Sequence, residues 1–197
     1  MNSDHNEEAI VQYLNESASV MASCGELLPS RIVAAGELIC KCLESGGKVL
    51  VCGNGGSAAD AQHLAAELTG RFLKHRRAFA AIALTTDTSA ITSISNDYGF
   101  DHVFARQVEA LGRAGDVLVA FSTSGKSPSI IKAIKTAKAA QMKVVGLTGQ
   151  TGGEMPPPCD VCIHVPSDYT PHIQEAHGAI IHVLCKYVES SFGVAEA

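Results

Sequence analysis

The sequence has no apolar run long enough to span a bilayer, so neither a transmembrane helix nor a membrane partner is expected. Residues 1–8 are acidic and lack an apolar stretch, so a signal peptide is not expected there. Positive charge is also scarce, because 15 Lys and Arg face 20 Asp and Glu and the formal net charge is -5. Nucleic-acid binding usually needs a clustered basic face, so no nucleic-acid partner is predicted. The one dense basic run, Lys74-His75-Arg76-Arg77, is interpreted as a solvated loop.

The seven cysteines give no paired pattern typical of a disulfide-bonded secreted domain. Their odd number predicts a reducing compartment, and the chain is therefore expected in the cytoplasm. Cys159 and Cys162 have redox or zinc spacing, but no second pair lies at the distance of a zinc site. Both are interpreted as small buried side chains.

Short, almost wholly apolar runs alternate with segments of helical spacing from residue 46 onward. Strands that are buried on both faces are typical of a parallel sheet covered by helices. We therefore predict a single α/β domain over residues 1–197, with an N-terminal helical segment over 1–45 and an α/β core over 46–197. The core is expected to be a doubly wound five-stranded parallel sheet flanked by helices. The predicted strands are Lys48 to Cys52, Ala80 to Leu84, Val117 to Phe121, Val144 to Leu147 and Val161 to Val165. The predicted core helices are Ala58 to Leu68, Val103 to Leu111, Ile130 to Ala140 and, capped by Thr170, Pro171 to about Ser191.

Two of the predicted strands end in small, polar loops that each open a helix. The first loop is Gly53-Asn54-Gly55-Gly56-Ser57, and the second is Ser122-Thr123-Ser124-Gly125-Lys126-Ser127. Glycines let the backbone approach a ligand closely, and the unpaired amides and dipole of a helix N-terminus favour an anion. The second loop also carries four hydroxyls, which suits a phosphate. Ordinary turn and cap chemistry is the alternative.

The sequences of these two loops also partly match two nucleotide-binding motifs. The second loop nearly matches a P-loop, but Ala120 stands where the first glycine is needed. The first loop fits a degenerate dinucleotide fingerprint, but the first acidic candidate for the ribose, Asp87, lies 34 positions after Gly53 instead of about 20. A nucleotide-binding α/β protein stays an alternative, and no nucleotide cofactor is predicted.

Two further segments place polar side chains on apolar helices. His63 and Glu67 have i,i+4 spacing and share one helix face, which suits a general base or a metal site. A surface hydrogen-bonded pair is the alternative. The closing helix carries Gln174 and His182 among apolar residues, and such polar groups need partners. For His182 the alternative is a satisfied histidine of the core.

Together these segments resemble the phosphoheptose isomerases, which are sedoheptulose 7-phosphate isomerases with the sugar isomerase (SIS) fold. The resemblance runs from about residue 10 to residue 192. It is carried by Gly53 to Ser57, His63-x-x-x-Glu67, Asn96-Asp97-Tyr98-Gly99, Ser122-Thr123-Ser124-Gly125-x-Ser127, and Ile173-Gln174-Glu175 with His182. It implies isomerisation of sedoheptulose 7-phosphate to D-glycero-D-manno-heptose 7-phosphate, the first step of heptose biosynthesis for the lipopolysaccharide core.

The resemblance also implies the roles of individual residues. Glu67 and His182 are expected to be the catalytic acid–base pair. The implied zinc ligands are His63, Glu67, Gln174 and His182. The implied substrate-binding residues are Asn54, Gly55, Gly56, Glu67, Asn96, Asp97, Ser122, Thr123, Ser124, Ser127 and Gln174.

Some SIS-family members resemble instead a non-catalytic protein that binds the bacterial replication initiator and can hold a sugar phosphate. As the resemblance implies, such members lack the catalytic Glu and His. Because Glu67 and His182 are both present, the enzyme is favoured.

The terminal helical segments carry more apolar surface than one five-stranded sheet is expected to cover. Together with the family resemblance, this predicts a homotetramer whose active sites lie between subunits. The surplus residues are Ile10, Tyr13, Leu14, Val20 and Met21 near the start, and Ile180, Ile181, Leu184, Tyr187 and Val188 near the end.

Overall fold

The computed structural model describes residues 6–193, which form an α/β fold. The helices are α1 (Glu7–Leu27), α2 (Pro29–Glu44), α3 (Gly56–Thr69), α4 (Thr88–Tyr98), α5 (Val103–Leu111), α6 (Pro128–Ala139) and α7 (Thr170–Ser191). The strands are β1 (Val49–Cys52), β2 (Ala81–Ala83), β3 (Val117–Ser122), β4 (Lys143–Thr148) and β5 (Val161–His164). A 3₁₀ turn at Phe100–His102 joins α4 to α5. All five predicted strands and the predicted helices are confirmed, with ends shifted by a few residues at most.

The five strands form one parallel sheet in the order β2-β1-β3-β4-β5. Every residue of β1 and β3 is buried, as expected for strands covered on both faces. Alternate side chains of β1 serve opposite layers, because successive residues of a strand point to opposite faces. Val49 and Val51 pack in the core shared with α2, α3 and α7, whereas Leu50 packs in the core shared with α5 and α6. The doubly wound architecture predicted from the sequence is therefore confirmed.

An ion pair joins the amino ends of the two central strands. Lys48 Nζ lies 2.5 Å from the Asp116 carboxylate, which is 4% exposed. The same carboxylate accepts the backbone N–H of Lys48 at 2.9 Å and that of Arg113 at 2.9 Å. These contacts satisfy a buried charge at the end of the sheet opposite the two polar loops.

Three expectations from the sequence need correction, and one helix has no counterpart among the predicted elements. Helix α4 was not predicted, because it is rich in Thr and Ser and contains no buried residue. Thr170 does not cap α7, since the N-cap is Tyr169 and no side chain caps this end. The basic run is not wholly solvated, because the Arg76 side chain is only 2% exposed. The closing helix has little apolar surplus, because Ile180, Ile181, Leu184 and Val188 are buried in the core of their own chain and Tyr187 is partly buried against it.

The apolar surplus predicted near the start of the chain is only partly present, because Val20 and Met21 are partly buried against the core. Ile10, Val11 and Leu14 of α1 are 59%, 56% and 60% exposed.

Six of the seven cysteines are buried and Cys159 is half-buried; all seven are free thiols. Among residues 6–193, no helix has the combination of length and apolar character that crossing a bilayer requires.

His177 of α7 is a titratable group in the centre of the core. It is completely buried, packs edge-on against Phe121, and neither ring nitrogen makes a hydrogen bond of normal geometry within the described residues. Burial lowers the pKa of His177 to about 4, and the nearby backbone of Thr148 opposes this shift only in part. The unfolded chain therefore binds the proton more tightly than the folded chain, so this residue favours unfolding as the pH falls below about 6.5.

We expect His177→Leu to make the protein less sensitive to acid. Between pH 6.5 and pH 4 the wild-type protein should lose up to roughly 3 kcal/mol of unfolding free energy through this residue, and the variant should not. Urea unfolding at pH 7 and pH 4.5 measures the difference. His75→Leu, at an exposed position, is the matched control. Equal pH dependence in the wild-type protein and His177→Leu would contradict the expectation.

Candidate active site

The two polar loops lie side by side at one edge of the sheet. They follow β1 and β3, which are neighbouring parallel strands, so both loops leave from carboxyl ends. The chain continues from β1 to β2 on one side and returns to β3 on the other. Such a reversal of strand order opens the crevice where α/β proteins bind ligands.

A polar cavity of about 180 Å³ lies between these loops and α7. Helices α3 and α6 both begin here, and neither has a side-chain cap. No side chain therefore competes with an anion at these helix N-termini, although α6 begins with Pro128, which has no N–H, and the Ala58 and Ile130 amides already donate to backbone carbonyls. The cavity is lined by Asn54, Ser57, Phe121, Ser122, Thr123, Ser124, Ser127 and Gln174. The structure thus brings together all four predicted phosphate-binding residues, and we call this cavity the cradle.

Two glycines around the cradle have close neighbours, and at one of them, Gly125, a side chain would collide with backbone. Gly125 has φ 64° and the carbonyl of Gly152 packs so closely that an added Cβ would lie 2.0 Å from its oxygen. The backbone of Glu154 also donates to the Gly125 carbonyl at 2.9 Å, so the loop before β5 braces the cradle. At Gly56, an added Cβ would lie 2.5 Å from the Gln174 amide nitrogen. The absence of a side chain there lets Gln174 lie over the start of α3.

Asn54 joins the two loops. Its amide nitrogen donates to Ser127 Oγ at 2.9 Å and to Ser129 Oγ at 3.0 Å, and these two hydroxyls lie 3.2 Å apart. The hydrogen bonds link the loop after β1 to the first turn of α6. Asn54 therefore shapes the cradle as well as lining it. Gly55, by contrast, lines a separate cavity of about 150 Å³ that is bordered by Ile91 and Phe100.

The predicted acid–base residues meet further along α3 and α7. His63 Nε2 lies 3.3 Å from His182 Nε2 and 3.4 Å from Glu67 Oε1. The Glu67 side chain is 24% exposed, and the His182 ring stacks on Phe72 with centroids 5.5 Å apart. His182 is itself exposed, so the alternative of a satisfied core histidine is wrong for it. The arrangement brings a carboxylate and two imidazoles together, with His63 next to both of the other groups at distances slightly longer than a normal hydrogen bond.

Three predicted residues lie apart from this cluster. Gln174 lies against Gly56, which precedes His63 by seven residues, or about 10 Å along the helix axis. Asn96 and Asp97 are exposed at the end of α4, where the Asn96 amide donates to the Asp97 carboxylate at 2.8 Å. Over residues 6–193 no three His, Cys, Asp or Glu side chains of one chain are grouped to hold a metal ion. The predicted site residues therefore form separate groups within one chain.

Sequence reasoning missed Asp60, one turn before His63 on α3. Its Oδ2 is buried and makes no hydrogen bond within the described residues. Burial raises the pKa of Asp60 to about 6, and the neighbouring His63 opposes the rise in part. The i,i+3 spacing to His63 was the available signal, but spacing alone does not reveal that one carboxylate oxygen is enclosed.

The chain is similar to known proteins in both sequence and structure. Residues 12–149 match the SIS domain family. A phosphoheptose isomerase of Campylobacter jejuni is 58% identical over 172 residues, which are 87% of this chain and 92% of that protein. One of Rhodospirillum rubrum is 52% identical over 185 residues, 94% of this chain and 98% of the relative. The solved phosphoheptose isomerase of Neisseria gonorrhoeae has a TM-score of 0.87 and 48% identity, covering 93% of this chain and 98% of its own. That of Francisella tularensis has a TM-score of 0.91 and 40% identity, covering 96% and 100%.

The cradle is expected to bind inorganic phosphate. Inorganic phosphate should raise the melting temperature of the protein by mass action, on the order of a few degrees well above its Kd. The triple variant Ser122→Ala, Thr123→Val, Ser124→Ala should lose most of this shift, because it removes three hydroxyls that line the cradle. Ser93→Ala, at an exposed position on α4, is the control. A triple variant with the wild-type shift would mean that phosphate binds elsewhere.

Proposed function

The chain belongs to the phosphoheptose isomerases, a family of SIS-domain proteins, and we propose that it interconverts sedoheptulose 7-phosphate and D-glycero-D-manno-heptose 7-phosphate. The observation that carries this proposal is the close approach of Glu67, His63 and His182 on two helices that both pass the cradle. The reaction is the first step of heptose biosynthesis for the lipopolysaccharide core. The rival, a non-catalytic protein that binds the replication initiator, is disfavoured because Glu67 and His182 are both present.

The proposed chemistry needs one base for carbon and one group that moves protons between oxygens. Glu67 removes the proton from C1 of the ketose, and the C1–C2 double bond forms as the C2 carbonyl becomes an enediolate oxygen. His182 donates a proton to that oxygen and accepts the proton of the C1 hydroxyl. Glu67 then returns its proton to C2, which leaves the aldehyde at C1. Every proton removed is returned, so the isomerisation needs no redox cofactor.

The cradle holds the phosphate at the far end of the substrate. Its contacts are the same in the ground state and the transition state, so they contribute mainly to substrate binding. Gln174, Asn54 and Ser127 extend the polar lining toward the sugar. This separation of binding and chemistry lets the remote phosphate fix the position of the reacting carbons.

We also propose that His63, Glu67, Gln174 and His182 hold a zinc ion. Two nitrogen ligands of a tetrahedral zinc, each at about 2.0–2.1 Å, lie roughly 3.3 Å apart. The two imidazole nitrogens are 3.3 Å apart, a separation that two ligands of one ion would have, and the Glu67 carboxylate is 3.4 Å from one of them. Within the described residues these three donors do not by themselves form a group that holds a metal, so the proposed site needs the fourth ligand as well. Bound zinc supplies a Lewis acid for the substrate oxygens. Because Gln174 lies with the cradle in its own chain, the four-residue set requires a Gln174 from a second copy.

We further propose that the chain forms a homotetramer, in which neighbouring subunits complete the site. Within one chain the cradle, the Glu67–His182 cluster and Asn96 with Asp97 lie apart, and a neighbouring copy can bring them together. The exposed apolar residues Ile10, Val11 and Leu14 of α1 suit burial in such an interface. An apolar groove of about 390 Å³ between α1, α2 and α7 offers a second contact surface. Closed symmetric assemblies of this kind are common among oligomeric enzymes.

The base assignment is tested by Glu67→Gln, which keeps the size of the side chain and removes its basicity. We expect kcat to fall by at least ~10²-fold with little change in KM, as for a positioned general base. The assay follows sedoheptulose 7-phosphate turnover, with Glu109→Gln, an exposed residue of α5, as the control. Near-normal kcat in a folded Glu67→Gln variant would remove Glu67 from this role.

The shared site is tested by Ile10→Glu with Leu14→Glu. The two charges should oppose burial of α1, so light scattering at micromolar concentration should show loss of the tetramer. Activity and bound zinc, measured in the same samples, should fall with it, although every proposed catalytic residue is intact. Leu111→Glu, 39% exposed on α5, is the control for an added surface charge. A wild-type protein that is monomeric and fully active would reject both the tetramer and the shared site.

A further inference from the structure

A buried ion pair lies between the basic segment after α3 and the end of α7. Arg76 Nε is 3.0 Å from Glu189 Oε1, and the two side chains are 2% and 3% exposed. A buried pair of charges is costly to form unless further hydrogen bonds satisfy both partners. The contacts of each partner therefore indicate what the pair does.

The Glu189 carboxylate closes the segment after α3 onto α7. It accepts the backbone N–H groups of Phe72 at 2.9 Å, Leu73 at 3.0 Å and Lys74 at 3.0 Å. Burial opposes ionisation of Glu189, but these three hydrogen bonds and the Arg76 charge outweigh it and hold its pKa below the usual range. The carboxylate thus fixes three consecutive backbone amides against one position of α7.

The Arg76 guanidinium closes the end of α3. Its Nη2 donates to the carbonyl of Glu67 at 2.6 Å, and its Nη1 donates to the carbonyl of Leu68 at 2.9 Å. The last carbonyls of a helix have no partner within the helix, and a cation there also interacts favourably with the helix dipole. One of these carbonyls belongs to the proposed catalytic base itself.

The Glu189 side of this ion pair is connected to His182 through Phe72. Phe72, whose N–H donates to Glu189, stacks its ring on His182 with an interplanar angle of 29°. Glu189 follows His182 by seven residues on α7, which is about two helical turns. One ion pair therefore contacts the backbone of Glu67 on one side and, through Phe72, the ring of His182 on the other.

We propose that Arg76 and Glu189 are positioning residues that set the separation of Glu67 and His182. The proposal rests on the assignment of those two residues to proton transfer. Catalytic geometry tolerates little error, since a displacement of about 1 Å can lower the rate by ~10²-fold. Arg76 is suited to this task because its planar fork reaches the carboxylate and the helix carbonyls at once, which a lysine ammonium on a flexible stem does not.

Arg76→Lys tests the proposal, because it keeps the positive charge beside Glu189 and loses the fork. We expect kcat for sedoheptulose 7-phosphate to fall at least ~10-fold while KM stays within about threefold. Asp116→Asn is the matched control, because it weakens another buried ion pair that also accepts backbone N–H groups, at the far end of the sheet. Its kcat should stay near the wild-type value even where urea unfolding shows an equal or greater loss of stability.

A second comparison separates positioning from general destabilisation. In a Glu67→Gln background, Arg76→Lys should lower the remaining kcat by less than about twofold, because residues that act through one group are not additive. Phe72→Leu leaves the ion pair in place and removes the ring stacked on His182, so kcat should again fall with KM unchanged. If Arg76→Lys does not fold, the kcat and KM of Phe72→Leu test the positioning role instead.

Three results would overturn the proposal. These are wild-type kcat in folded Arg76→Lys and Phe72→Leu, an equal loss of kcat in Asp116→Asn, or a full multiplicative loss in the Glu67→Gln background. Failure of the proposed function looks different. An inactive wild-type protein rejects the isomerase assignment. Full activity of Glu67→Gln rejects Glu67 as the base, and the positioning role of Arg76 toward Glu67 is then rejected with it, whatever the kcat of Arg76→Lys.

Discussion

The parallel pairing of β1 with β3 is the constraint on which the rest of the site depends. These strands are neighbours although β2 and three helical segments separate them in sequence. Their pairing places two helix N-termini without side-chain caps beside each other, so amides and hydroxyls from two loops can face one anion. The amino ends of the same strands are held by Lys48 and Asp116, so the pairing is fixed at the end away from the cradle.

The packing of α3 on α7 is the second constraint, and it concerns chemistry more than binding. The contacts of Gly56 with Gln174 and of His63 with His182 show that the two helices run in the same direction. The first contact is close, since a Cβ at Gly56 would lie 2.5 Å from the Gln174 amide nitrogen unless that side chain moved. A small rotation of either helix would therefore disturb the cradle and the acid–base cluster together.

The two well-buried ion pairs illustrate how similar interactions serve different ends. Asp116 and Glu189 are both almost fully buried, and each accepts backbone N–H groups as well as a cation. Asp116 lies where only strand ends meet, so its contribution is to the stability of the sheet. Glu189 lies where a helix end, a loop and α7 meet, next to the residues proposed to move protons. Location, and not the type of interaction, is therefore the basis for proposing a positioning role for Glu189 and a stabilising role for Asp116.

The sequence by itself determined the fold class, the five strands and the motif residues. Short apolar runs that alternate with segments of helical spacing favour strands buried on both faces, and glycine and hydroxyl residues after a strand favour an anion-binding turn. It did not determine α4, which is rich in Thr and Ser and contains no buried residue, or the burial of the Arg76 side chain within a basic run interpreted as solvated. Only the tertiary structure decided that His182 meets His63, that His177 is the core histidine, and that Gln174 lies with the cradle. Residues more than 100 positions apart are involved in each contact between α3 and α7, and local periodicity carries no information about which distant helix faces which.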